Sequence, residues 1–264
     1  MINLRTSTEM DIIGRGGAII AGLLTELPDR VVPGLSTGAL DRFAEDYIVS
    51  HDGAVPAFKG LYGFPGSVCV SVNEEVVHGI PSNDRILGDG DIVSIDVGVR
   101  LEGWCSDSAW TFTVGEISEE TRALLDATER SLEAAVQAAV PGNHVGDIGA
   151  AVVGTVEGTG YGIIRELVGH GVGREVHEEP QVPNIGRAGH GPILREGMVL
   201  AIEPMLSAGS PHIRTLSDGW TVVTADRTLS AHFEHTIGIT GNGPRVLTSV
   251  AGPIGVAPSG AGSA

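Results

Sequence analysis

Residues 91 to 114, DIVSIDVGVRLEGWCSDSAWTFTV, constrain the fold more than any other stretch of this 264-residue chain. Apolar residues recur there at every second position, the period of a half-buried strand. In the first run Val93, Ile95, Val97 and Val99 share a face, which turns Asp96 the other way beside Ser94 and Gly98. In the second, Trp110, Phe112 and Val114 share a face, and Asp107 lies opposite with Cys105 and Ala109. A hairpin turning near Leu101-Glu102 pairs Asp96 directly with Asp107 across the ladder. Two carboxylates that close destabilise the pair unless a proton or a cation sits between them.

Two more acids break apolar runs in the same way. The strand-like segment MVLAI ends in Glu203 and Pro204, and SAHFEHTIGIT alternates so that Glu234 points away from Phe233 and Ile237. A glutamate at the end of a buried strand is costly unless it is paired or coordinated. Between these segments, LVGHGVGREVHEEP packs His170 and His177 among Gly169, Gly171 and Gly173. The spacing is not that of a dinucleotide loop, and no G-x-x-x-x-G-K-[ST] occurs. HEEPQ is no zinc-peptidase helix either, because Gln181 stands where the second histidine belongs and Pro180 breaks a helix.

The segments around these strands read as helices. Thr6 and Glu9 form a capping box ahead of MDIIGRGGAIIAGLLTEL, a second helix covers roughly 38 to 50, and Ser118 caps a third that stops at Pro141-Gly142. The chain also repeats itself: residues 32–40, VPGLSTGAL, and 140–148, VPGNHVGDI, share V-P-G-x-x-x-G-x-[LI]. Each copy follows a long helix and begins another. The expected architecture is one α+β catalytic domain, 1–250, of two similar halves near 1–115 and 116–250, with a flexible tail at 251–264.

Lys and Arg number 16 against 33 Asp and Glu, a net charge of −17, which excludes sequence-independent nucleic-acid binding through a basic surface. Two cysteines, Cys69 and Cys105, make no disulfide framework. The N-terminal MINLRTSTEM lacks the apolar stretch of a signal peptide, and no run of about 18 apolar residues appears, so a cytoplasmic protein without membrane association is expected.

Asp96, Asp107, His170, Glu203 and Glu234 together offer four carboxylates and one imidazole. The set is too anionic for a structural zinc site and too rich in imidazole for an ordinary calcium loop. It suits two divalent transition ions held about 3.5–4 Å apart by bridging carboxylates.

The ordered segments SIDVG, CSDSAWTF, GHGVG, AIEP and HFEHT, with VHGIP at 77–81 and VHEEP at 176–180, resemble those of type I methionine aminopeptidases over about residues 5 to 245. The resemblance implies the pita-bread fold, two pseudo-symmetric halves around an antiparallel sheet. It implies removal of the initiator methionine from nascent polypeptides whose second residue is small and uncharged. Asp107 and Glu234 would bridge two ions, with Asp96 completing one site and His170 and Glu203 the other; Co, Mn, Fe and Zn all tolerate such ligands. A water or hydroxide between the ions would attack, with Glu203 moving its proton. His177 would polarise the scissile carbonyl and His78 would bind the backbone amide of the second substrate residue. The family expectation is a monomer meeting its substrates at the ribosome.

Leu61, Phe64, Cys69 and Trp220 are expected around the methionine side chain. The family commonly has Tyr where Leu61 and Phe64 stand, and Phe where this chain has Val176. Cys105 reads as a small core residue. His51, His144, His190, His212, His232 and His235 match no functional role and read as surface or packing. Two rival functions share the fold: a proline-specific peptidase of the prolidase or aminopeptidase P kind, and a non-catalytic binding protein that has lost its metals.

Overall fold

The computed structural model describes residues 2–249. The expected tail at 251–264 lies outside the described residues. Among the described residues four α-helices occur, each starting where a capping side chain or a short acidic turn satisfies its free N–H groups. Helix α1, Ser7–Glu26, starts at the Thr6–Glu9 capping box and buries Ile13, Ile20, Leu23 and Leu24 on one face. Helix α2, Thr37–Val49, is capped by Ser36, whose hydroxyl accepts from the Ala39 N–H. Helix α3, Glu119–Ala138, is capped by Ser118 and ends three residues before Pro141, close to the expected stop. Helix α4, Val145–Val156, follows His144, whose N–H donates to Asp147 at 2.6 Å.

The two copies of the repeated nonapeptide occupy corresponding places. Ser36 precedes α2 and bridges to Ile86; His144 precedes α4 and bridges to Ile193. In each copy the V-P-G turn delivers the chain into a helix start while tying it to a segment that follows the next strands.

Among the described residues the strands form four antiparallel sheets. In one, Ile92–Leu101 pairs along one edge with Ala54–Pro56 and Cys69–Val72, and along the other with Trp104–Thr113. In the largest the order is Gly243–Val246, His235–Thr240, Val199–Ile202, Gly169–Gly171, Glu178–Val182. The helices cover these sheets, and a continuous core of Val, Ile and Leu joins α1 and α3 to the Ile92–Leu101 hairpin.

Two strand expectations need correction. The hairpin turns at Glu102-Gly103, with φ of 50° and 76°, one residue later than expected. A two-residue hairpin turn of this kind needs positive φ at both centres, which glycine supplies without steric cost. Leu101 is thereby kept in the ladder, buried opposite Trp104. Asp96 therefore pairs with Ala109 and Asp107 with Gly98. The two acids share a face but sit diagonally, not face to face.

The second correction concerns SAHFEHTIGIT, which is two strands and not one. Ser230–His232 joins Met205–Ser207 in a small sheet, while His235–Thr240 joins Val199–Ile202 in the largest. Met205 pairs with His232 and Ile202 with His235, so Glu203-Pro204 and Phe233-Glu234 lie opposite one another where both chains change sheets. Pro204 has no N–H to continue a ladder, which suits it to this break.

Candidate metal centre and substrate cleft

The diagonal acids and the paired breaks converge on a single place. A cavity of ≈ 250 Å³ is lined at its base by Asp96, Asp107, His170, Glu203 and Glu234. His170 Nε2 lies 3.4 Å from Glu203 Oε1 and 3.8 Å from Asp107 Oδ2. Ligand atoms of Asp107, His170 and Glu234 all fall within 4.8 Å of one another. His170 Nδ1 donates to the Gly171 carbonyl at 3.0 Å, which leaves the lone pair of Nε2 facing the acids. Its flanking glycines are required by packing. A Cβ on Gly169 would collide with the Ala201 carbonyl, and one on Gly171 with that of Glu179.

The local fold holds the acids rigidly. Thr236 Oγ1 accepts from the Asp107 N–H at 3.0 Å and donates to the Asp107 carbonyl at 2.7 Å. Ser108 Oγ donates to the Glu234 carbonyl, and the Glu234 N–H donates to Ala109. The Trp104–Thr113 strand thus grips the sheet-changing segment at the point where Glu234 leaves it.

The carboxylates crowd each other in a desolvated place. Burial pushes Asp96 up to about 7, against hydrogen bonds from Asp107 and the Val97 backbone that favour its charged form. Asp107, Glu203 and Glu234 are raised well above the ordinary carboxylate range, first by burial and then by one another's charge. Burial holds His170 neutral, its pKa lowered to about 4. Asp96 Oδ1, Asp107 Oδ1 and Glu234 Oε1 are buried with no hydrogen-bond partner. Three orphaned carboxylate oxygens aimed at one space are what divalent cations would satisfy, and the hard oxygen-rich donor set with one imidazole fits them.

The remaining predicted residues stand around the walls. His78, with φ of 59°, and His177 line the cavity, and the His177 ring meets that of His170 at 4.5 Å between centroids. A non-glycine residue held at positive φ is a strained feature that surrounding structure must maintain. Leu61, Phe64, Cys69 and Trp220 form an apolar wall, with Phe64 edge-on to Trp220 at 5.2 Å. Val176 is buried in the cluster behind this wall. Cys105 is fully buried, as expected for a packing residue.

Two residues here carry no role in the sequence-based reading. Tyr62, exposed and with φ of 51°, stacks on His177 at 6.0 Å. Its place between Gly60 and Gly63 was the available signal. His232 is 1% exposed, and its Nε2 lies 3.8 Å from Glu203 Oε2 without a hydrogen-bond partner. Nothing in the local pattern distinguishes it from the other histidines, because its position depends on the sheet change.

The model of metallopeptidase family M24 matches residues 11–241. The chain belongs to this family. Membership in M24 brings use of divalent metal. A methionine aminopeptidase of Clostridium perfringens is 52% identical over 250 residues, covering 95% of this chain and all of that protein. The crystal structure of methionine aminopeptidase from Thermotoga maritima superposes with a TM-score of 0.92 at 44% identity, covering 94% of this chain and 99% of that one. Prolidase from Pyrococcus furiosus reaches 0.77 at 24% identity, covering 94% of this chain and 66% of that one, a likeness of fold alone. The M24 fold seen here is the expected pita-bread α+β fold.

Proposed function

We propose that this M24 metallopeptidase removes the initiator methionine from polypeptides whose second residue is small and uncharged. The observation that carries the reading is the arrangement of one apolar wall, two histidines and five candidate metal-ligating side chains around a single cavity. Kinship with the Clostridium perfringens and Thermotoga maritima methionine aminopeptidases supports it further.

In this reading Asp107 and Glu234 would be ligands common to two divalent ions, with Asp96 a further ligand of one and His170 and Glu203 of the other. Co, Mn, Fe and Zn all suit the donor set. Bound there, such ions would supply an acidified water and a Lewis acid for the carbonyl. Glu203 takes the water's proton and passes it to the departing amine. His177 donates to the carbonyl oxygen as negative charge develops on it. His78 holds the backbone amide of the second residue. The free α-amine docks beside Asp96, which restricts cleavage to chain termini. Leu61, Phe64, Cys69 and Trp220 enclose the unbranched thioether side chain.

The same reading puts the enzyme in the cytoplasm as a monomer acting on nascent chains at the ribosome. In support, among the described residues no helix is long and apolar enough to cross a membrane. The pseudo-repeat halves, 1–115 and 116–250, are read as one catalytic domain, supported by the matching placement of the two nonapeptides.

The test is cleavage by the metal-loaded full chain. Met-Ala-Ser should release methionine while Xaa-Pro peptides remain intact. Preferential cleavage of Xaa-Pro would replace the reading with a proline-specific peptidase. Metal uptake without cleavage of either would favour a binding protein.

A further inference from the structure

Glu203 presents its two oxygens to two different imidazoles. Oε1 faces His170 at 3.4 Å, on the side of the other candidate ligands, while Oε2 faces His232 Nε2 at 3.8 Å. His232 has its backbone clamped on both sides by one hydroxyl. Its N–H donates to Thr111 Oγ1 at 3.0 Å, and Thr111 Oγ1 donates back to its carbonyl at 2.8 Å. The strand pairing of His232 with Met205 adds a second restraint. The ring therefore sits on a fixed backbone, sealed from solvent, with Nε2 as an unpartnered polar atom aimed at Glu203.

We propose that His232 is a positioning residue for Glu203: its Nε2–H anchors Oε2 from behind, so that Oε1 is presented to the metal site in one orientation. The separation exceeds a hydrogen bond by about 0.6 Å, a gap that a small rotation of the carboxylate closes. Partners of this kind behind a ligand fix its geometry, and their loss typically costs about 10- to 100-fold in metal affinity or activity. His232 does not touch substrate and acts only through Glu203. The proposal rests on the reading of Glu203 as a metal ligand.

The experiment titrates Co(II) into the metal-stripped full chain of wild type, His232→Leu and His232→Gln, with turnover of Met-Ala-Ser measured on the loaded proteins. Leu keeps the bulk and removes the donor; Gln restores an N–H of similar reach. His232→Leu should bind Co(II) about 10- to 100-fold more weakly, with kcat reduced and KM little changed, and His232→Gln should recover most of both. If His232→Leu fails to fold by circular dichroism, His232→Asn, whose donor is too short to reach, must show the same deficit. A donorless or short variant that binds Co(II) as tightly as wild type overturns the proposal, as does a folded His232→Gln no better than the Leu variant. Wild type that takes up no Co(II) would overturn the dinuclear reading and this proposal together. Normal wild-type uptake with an unaffected His232→Leu removes this proposal alone.

Discussion

Glu203 and Glu234 stand opposite one another at the point where two neighbouring strands leave the largest sheet and enter a small one. Ile202 pairs with His235 on one side of the break and Met205 with His232 on the other. At such a break the ladder is interrupted, so both side chains turn toward the cavity instead of alternating through a sheet. Asp96 and Asp107 reach the same cavity from the hairpin, diagonally placed on one face.

This crowding predicts an unusual pH response in the metal-stripped protein. Asp96, Asp107, Glu203 and Glu234 all have raised folded pKa values, so the folded state holds protons that the unfolded chain has released. Their contribution to stability is present at low pH and lost as pH rises through the folded values. The lowered histidines act with the opposite sign, but above about pH 7.5 they are neutral in both states. The melting temperature of stripped protein should therefore fall as pH rises from about 7.5 to 9. Saturating Mn(II) or Asp107→Asn should flatten that fall, and Asp107→Asn should no longer gain stability from metal. A stripped protein whose melting temperature rises over this range would contradict the clustering of ionisable acids.

His177→Ala should separate chemistry from metal binding. Loss of one oxyanion donor lowers turnover by about 10²- to 10³-fold, whereas metal content measured by elemental analysis should match wild type. Equal loss of metal and turnover would show that His177 supports the metal centre and does not act on the substrate.

Thr236→Val should destabilise the protein even though Thr236 is no predicted ligand. Its buried hydroxyl both accepts from and donates to the backbone of Asp107. Leaving those groups unpaired costs about 1–3 kcal/mol, readable in urea unfolding of the metal-loaded protein. A change within experimental error would mean that the strand is held without this link.

Trp220→Ala tests the apolar wall. Removing the ring that packs edge-on against Phe64 should raise KM for Met-Ala-Ser about tenfold, with a smaller change in kcat, as expected for lost burial shared by ground and transition states. A drop confined to kcat would place Trp220 in the chemistry and not in side-chain recognition.

The sequence by itself determined the helix starts, the strand periods and the identity of the acids. These depend on neighbours a few positions apart: Thr6 and Glu9 cap α1, Ser118 caps α3, and alternation puts Asp96 and Asp107 on the face away from Val97 and Phe112. Only the tertiary structure decided which partners those residues meet. The hairpin register followed from keeping Leu101 buried while Gly103 took the positive φ, and the break at Glu234 from pairing His232 with Met205 and His235 with Ile202, strands well earlier in the chain. For the same reason His232 was indistinguishable from other packing histidines until Met205 was placed beside it. Local periodicity says which way a side chain points, but the cost of burying an unpaired charge depends on groups that come near only when distant segments pack.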